Sequence, residues 1–281
     1  MRILSTVLVL LVLSACQSAQ PVTAPVREDI PGPPIAYPAE AKRRLIAIAV
    51  REWQEFGAPE IDYSSFVPQT VWSGVPEGDP RVFPNVLAYW NAVRSGWEQY
   101  IRDQKAVFQG SGAGAWTTEA WSAVFISYLM RSAGIDRDDF PWSAGHRNYI
   151  DDLIQRHAAY GSSAVFQVHD IEQAAPRPGD LVCADRSVPR SRRLASVADR
   201  AAEIGTSRGM HCDLVVEVQS GRVGAIGGNV GQSVTKSWFP TDSYGRLLRR
   251  YPPEQDSERT FFAVIRTNIP DPPATVPYPG S

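Results

Sequence analysis

Three side chains of this sequence have the types that acyl transfer requires. Ser122 is a candidate nucleophile, His211 a candidate base and Asn229 a candidate orienting group. Ser122 follows Trp121 at the start of an apolar run that extends to Gly134. A hydroxyl in the first turn of a helix meets unpaired N–H groups and the positive end of the helix dipole. His211 opens one candidate strand and Asn229 closes the next. Neighbouring antiparallel strands can bring these two together, with Ser122 expected on the far side of the imidazole. A second reading of Ser122, as a small residue that lets the helix pack closely, stays open. Of the other histidines, His157 and His169 read as surface or strand residues, whereas His146 follows a loop that should lie beside the helix. Trp121, His146 and Asp213 are therefore candidate substrate contacts, and Asp213, two residues after His211, could also support the imidazole.

The elements that must position these groups can be read from periodicity. Leu45, Ile46, Ala49, Trp53 and Phe56 recur at helical spacing before Gly57. A second helix is expected from Asn85 to about Phe108. The central helix opens at Thr117-Thr118-Glu119 and closes at Gly134; being apolar on nearly every side, it should be buried. A short helix is expected from Arg147 to His157. Strands follow at 164–168, after Pro178-Gly179-Asp180, at 211–218, at 223–226 ending in Gly227-Gly228-Asn229, and at 261–267. Helices first and strands afterwards indicate an α+β fold with a mostly antiparallel sheet.

A chain of 281 residues that is 43% hydrophobic can bury a full core, and its net charge of -2, without blocks of like charge, argues against a nucleic-acid partner. The apolar run from Ile3 to Leu13 is too short to span a bilayer as a helix and reads as the core of a signal peptide. Leu13-Ser14-Ala15-Cys16 directly after it resembles the lipobox of bacterial lipoproteins, which implies cleavage after residue 15, lipidation of Cys16 and a membrane-anchored product. Gln17, in place of aspartate, favours the periplasmic face of the outer membrane by the same resemblance. The expected organisation is a leader over 1–15, a lipidated tether over 16–39 rich in Pro and Ala, a helical extension over 40–115, a core over 116–269 and a loose tail over 270–281.

Cys183 ends one strand and Cys212 begins the next, so in an oxidising compartment they could close the intervening segment as a disulfide; two buried thiols are the alternative. No His or Cys pair has ligand spacing, so neither a metal nor a cofactor is expected. The segment 184–210 carries Arg186, Arg190, Arg192, Arg193, Arg200 and Arg208 immediately before His211. It could meet anionic carboxylates beside the cleft, or be a solvated face.

Residues 121–127, Trp-Ser-Ala-Val-Phe-Ile-Ser, resemble the Trp-Cys-Ala-Ala-Phe-Val helix start of CHAP-type amidases, which with the NlpC-type peptidases form a papain-like group of cell-wall hydrolases. Pro178-Gly179-Asp180-Leu181 is similar to their turn into a strand, His211 with 214–216 to their histidine strand, and 226–229 with Ser233-Val234 to their Gly-Gly-Asn segment. The mature chain most resembles domain-of-unknown-function family 2272, which is placed near those peptidases. The resemblance implies a papain-like sheet packed on the buried helix, with Ser122 standing where these relatives carry cysteine. Two functions follow from it. One is a Ser122–His211–Asn229 hydrolase of peptide amide bonds in peptidoglycan; the other is an inactive module that binds wall fragments or an envelope protein in the same cleft.

Overall fold

The helix that carries Ser122 is buried because its sequence leaves it no polar face. In the chain's structure, a computed structural model describing residues 33–64, 69–70, 74–111, 118–250 and 259–271, it is α4, Ser122–Ala133. Val124, Phe125, Ile126, Leu129 and Met130 are all fully buried. Gly134 ends the helix in the left-handed conformation that glycine adopts without a Cβ penalty. The start differs from expectation: Trp121 is the N-cap residue and no side chain caps the helix, so Thr118 and Glu119 precede it as exposed residues and Thr117 lies outside the described residues. So do Cys16 with its leader, the tether up to residue 32 and the tail beyond 271.

Around α4 lie α1 (Ala39–Glu55), α2 (Phe83–Ala92), α3 (Glu98–Ser111) and α5 (His146–Tyr160). The expected single helix over 85–108 is two helices, because the chain breaks at Gly96, whose φ of +83° ends one run and redirects the next. Glu52 is buried in α1 and ties three helices together. It accepts hydrogen bonds from Tyr89 of α2 at 2.7 Å and from Tyr128 of α4 at 3.1 Å. Ala41, Leu45, Ile46 and Ala49 of α1 share one hydrophobic cluster with α4 and the sheet, so the helices over 40–111 belong to the core rather than standing before it.

The remaining elements are β1 (Glu60–Asp62), β2 (Gln69–Thr70), β3 (Phe166–Asp170), β4 (Leu181–Asp185), α6 (Val197–Ala201), β5 (Met210–Gln219), β6 (Arg222–Val230), β7 (Ser233–Pro240) and β8 (Thr260–Thr267). Their eight strands form one sheet in the order β2-β1-β7-β6-β5-β4-β8-β3. The fold is α+β, but the sheet is mixed, because β1 joins β7 in parallel while the other pairs are antiparallel. The Pro178-Gly179-Asp180 turn is a structural fastener. The buried Asp180 carboxylate accepts from the Arg177 amide and from the Thr267 amide of β8, each at 3.0 Å, so β4 enters the sheet in a fixed register.

Alternation divides the side chains between the two faces of the sheet. Leu181, Cys183, Cys212, Leu214 and Ile226 join the larger cluster with α4. Val182, Ala184, Val215, Ala225 and Phe261 form a smaller cluster on the opposite face. Cys183 and Cys212 lie opposite one another in the β4–β5 pair and are joined as a disulfide, with Cα atoms 4.2 Å apart. Their separation of 29 residues closes a loop large enough for the bridge to contribute roughly 2–5 kcal/mol. Cys183→Ala is expected to lower the melting temperature by several degrees relative to the oxidised protein. A melting temperature that responds neither to the substitution nor to a thiol reductant would contradict this.

Candidate active site

Ser122, the first residue of α4, makes a short hydrogen-bond contact with a histidine, and that histidine is His146. Ser122 Oγ and His146 Nε2 are 2.6 Å apart. His146 is the first residue of α5, and its Nδ1 meets the hydroxyl of Tyr149 one turn on. The loop before α5 is held against α4 by a reciprocal pair of hydrogen bonds. Ser127 Oγ donates to the Ser143 carbonyl, and the Ser143 amide donates back to Ser127 Oγ, each at 2.9 Å. Ser143 Oγ in turn accepts from the Gly145 amide at 3.1 Å and from Asn148 Nδ2 at 2.8 Å. The two helix starts are thereby fixed relative to each other.

His211 does not hold Ser122. It alternates with Cys212, which packs toward α4, and so shares a face with Ala184 and Val182, its neighbours across the β4–β5 pair. Its Nε2 meets Asp213 Oδ1 at 2.9 Å, and the second oxygen of Asp213 is paired with Arg259. The His146 and His211 rings nevertheless approach, with centroids 5.3 Å apart. Ser122, His146, Tyr149, His211, Asp213 and Arg259 thus form one buried polar cluster.

Asn229 is not the partner of His211. β6 bulges between Gly227 and Val230, and Asn229 takes a left-handed φ of +56°, which removes it from the regular alternation. Among the described residues its side-chain amide makes no hydrogen bond. The place of an orienting group is filled from β5 itself, and Gly227 is why this can happen. A Cβ at Gly227 would stand 1.8 Å from Asp213 Oδ1 and 2.9 Å from His211 Nε2, so only glycine leaves room for the carboxylate. Gly228 plays the same part on the other face, where a Cβ would meet Phe125 and Trp121 at under 3 Å. Trp121 is fully buried with its indole N–H on Glu77, so it is a core residue and not part of an open binding surface.

Electrostatics keeps the histidines neutral. Burial, followed by the neighbouring His211, holds His146 well below the ordinary imidazole value. Burial also lowers His211, against the opposing pull of Asp213. For Asp213 burial pushes upward, but Arg259 and His211 outweigh it, and the carboxyl stays ionised. Burial raises Tyr149 far above the usual phenol range, so it remains protonated. A neutral His146 with its proton on Nδ1, donated to Tyr149, leaves Nε2 free to accept the Ser122 proton. The α4 amides of residues 122–124 precede the first bond of the helix, from Phe125 N to Trp121 O, and are available to an oxyanion.

Ser127, Ser143 and Tyr149 were not singled out by the sequence. The signal for Tyr149 is its three-residue spacing from His146, which shares one helix face only because α5 begins at His146, one residue before the expected start at Arg147. Nothing local in the sequence pairs Ser127 with Ser143. Among the described residues no group of three or more His, Cys, Asp or Glu side chains could hold a metal ion.

The depressed histidines give a signed pH dependence. Below roughly 6.5 the unfolded imidazoles take up protons that folded His146 and His211 refuse, so the unfolded state binds more protons. Stability is therefore complete above that pH and falls as the pH drops beneath it, by up to about 1.4 kcal/mol per histidine for each pH unit. Melting temperatures between pH 7.5 and 5 should decline, and His146→Gln should make the decline shallower, leaving the share of His211 and His169, which burial also lowers. A pH-independent melting temperature would show that these imidazoles are not held neutral by the fold.

No curated protein and no solved structure matches this chain. The family model described as "Uncharacterized protein conserved in bacteria (DUF2272)" matches residues 77–267, from Glu77 beneath Trp121 to the end of β8, and therefore covers every residue of the cluster. The chain belongs to that family, domain-of-unknown-function family 2272.

Proposed function

We propose that this protein is a lipid-anchored envelope hydrolase with a papain-like site, acting on amide bonds in the peptide stems of peptidoglycan. The observation that carries the reading is the 2.6 Å contact between Ser122 Oγ and His146 Nε2 at the start of a buried helix. The motifs at 121–127 and 178–181, similar to those of CHAP-type and NlpC-type enzymes, support a papain-like scaffold, but the base in this reading is His146 of α5 and not the histidine or asparagine of the two strand motifs. Cys16, in its lipobox-like setting, supports anchoring on the periplasmic face of the outer membrane.

In this reading Ser122 Oγ attacks the amide carbonyl carbon while its proton passes to His146 Nε2. The oxyanion of the tetrahedral intermediate is received by the α4 amides. His146 then returns the proton to the leaving nitrogen, the C–N bond breaks, and an acyl-serine remains. Water attacks that ester, losing a proton to His146, which passes it to Ser122 Oγ as the acyl C–O bond breaks, so that the carboxylic acid leaves and Ser122 and neutral His146 are restored. Tyr149 keeps the proton of His146 on Nδ1. Asp213 is close enough to favour the imidazolium that forms during attack, although burial dominates the His146 pKa. Serine needs such help more than cysteine does, since its hydroxyl does not ionise on its own near neutral pH.

A second reading is supported by burial. Ser122 is 7% exposed and His146 5%, so a substrate must displace part of the surrounding surface to reach them. Such a closed cluster also suits an inactive module that binds wall fragments or an envelope protein. Purified protein incubated with peptidoglycan separates the two. The hydrolase reading expects soluble fragments, abolished by Ser122→Ala and reduced by about 10²–10⁴-fold in His146→Ala. It also expects an acylated Cys16 in the membrane-extracted protein by mass spectrometry. The binding reading expects no turnover by the wild type and undiminished wall affinity in Ser122→Ala. Turnover that survives Ser122→Ala would remove Ser122 from the chemistry.

A further inference from the structure

His146 is the first residue of α5, and no side chain caps that helix. Its N-cap residue is Gly145, which offers nothing to the free amides of the first turn. The Ser127–Ser143 bonds fix where the chain enters α5; the rotation of the helix about its own axis needs a second hold. A side-chain tip lies about 6 Å from a helix axis, so a turn of about 20° carries it through about 2 Å. Such a turn would part His146 from Ser122. The apolar packing of Ile150 and Leu153 resists it only without directional preference.

The second hold comes from the segment between β4 and β5. Its arginines suggest a solvated face or an anion contact, but Arg200 of α6 is fully buried and turns inward to α5. Its Nε and Nη2 donate to the two carboxylate oxygens of Asp151 at 2.6 and 2.7 Å. Asp151 Oδ2 also accepts from the Gly205 amide at 2.9 Å, and the Gly205 carbonyl accepts from Arg147, next to His146, at 3.2 Å. Asp151 follows His146 by five residues. At 3.6 residues per turn that is roughly 140° around the helix, so Arg200 grips a different side of α5 from the one that meets Ser122.

The grip is itself anchored. Arg200 donates to Glu203 at 2.9 Å and to the Thr206 carbonyl at 3.1 Å. Glu203 is bound by Arg208, which reaches the buried Asp185 at the end of β4 at 3.1 Å. The Val197 amide donates to Asp170 at the end of β3 at 2.7 Å. The segment therefore ties α5 to the ends of two strands. A buried ion pair is a poor source of stability, because taking two charges out of water offsets most of their attraction. What a planar guanidinium fork supplies is orientation.

We propose that Arg200 is a positioning residue for the candidate site: acting through Asp151, it fixes the rotation of α5 and so holds the His146 imidazole on the group at position 122. The inference rests on the Ser122–His146 pairing of the hydrolase reading, and on no particular substrate.

The full chain carrying Ser122→Cys tests it without turnover. The rate of alkylation by iodoacetamide is followed against pH, and its midpoint reports how far His146 and the start of α4 favour the thiolate. Arg200→Lys keeps the charge and loses the fork. It should raise the midpoint by about one pH unit and slow alkylation at neutral pH about tenfold. Asp151→Leu with Arg200→Met guards against misfolding, since apolar replacement of a buried pair often leaves stability intact. This double variant should melt close to its parent and still show the raised midpoint. With His146→Ala present, neither change should move the midpoint further, because no imidazole is left to position. An unmoved midpoint in either variant, or a shift that persists without His146, would overturn the positioning role. Loss of the folded state in both variants would overturn it as well, by assigning the pair to stability, and so would a thiol at position 122 no more reactive than a free cysteine. Turnover of peptidoglycan is a separate readout. Its absence alongside the expected shifts removes the hydrolase reading alone, and turnover with unmoved midpoints removes the positioning role alone.

Discussion

The candidate site depends on how the start of α5 is fastened to the side of α4. A serine hydroxyl and an imidazole on separate helices meet at 2.6 Å only if both helix starts are held to a fraction of an ångström. The reciprocal bonds between Ser127 and Ser143 provide that, because each side chain or backbone group in the pair both fixes and is fixed by the other. Behind them stands the burial of α4. Glu52 joins it to α1 and α2, and Trp121 is anchored by Glu77, so the helix can neither rotate nor slide without breaking buried polar contacts. The pairing of Ser122 with His146 is therefore a property of the core as much as of the surface.

Much of the scaffold was legible because its signals are local. The apolar run of α4 and its terminal Gly134, the periodicity of α1, and the strands containing His211 and Phe261 each follow from neighbouring residues. The pairing of Cys183 with Cys212 places a bridge where the strand ends suggested one. What escaped was non-local or depended on single backbone angles. β1 pairs with β7 across most of the chain, and nothing in Glu60–Asp62 announces a parallel partner. β7 itself alternates Val234, Lys236 and Trp238 with Thr235, Ser237 and Phe239, a pattern that could have marked it as a strand.

The site shows the same division. Ser122, His146, His211 and Asp213 were all singled out, and the structure gathers them into one cluster. Their connections differ from those the sequence suggested. Strand alternation turns His211 from the α4 face, a bulge with a left-handed Asn229 takes that amide out of reach, and the missing side chain of Gly227 lets Asp213 reach the ring. These are effects of register and of single φ angles, which motif order does not carry. The cluster has two polar halves, Ser122–His146–Tyr149 and His211–Asp213–Arg259, whose rings touch but whose charges are balanced separately. Ionised Asp213 beside Arg259 adds little net charge, which is consistent with both imidazoles remaining neutral.

The central claim is that His146, and not His211, is the partner of the group at position 122. It is tested most directly by placing a thiol there. In Ser122→Cys the sulfur would sit at the positive end of α4 beside His146, a setting that favours the thiolate. The rate of alkylation by iodoacetamide at neutral pH, with the unmutated protein as the control for other cysteines, reads that directly. The account predicts a rate well above that of a free cysteine, lost when His146→Ala is added and largely kept when His211→Ala is added. A rate no faster than a free thiol, or an enhancement that vanishes with His211 and survives without His146, would contradict it.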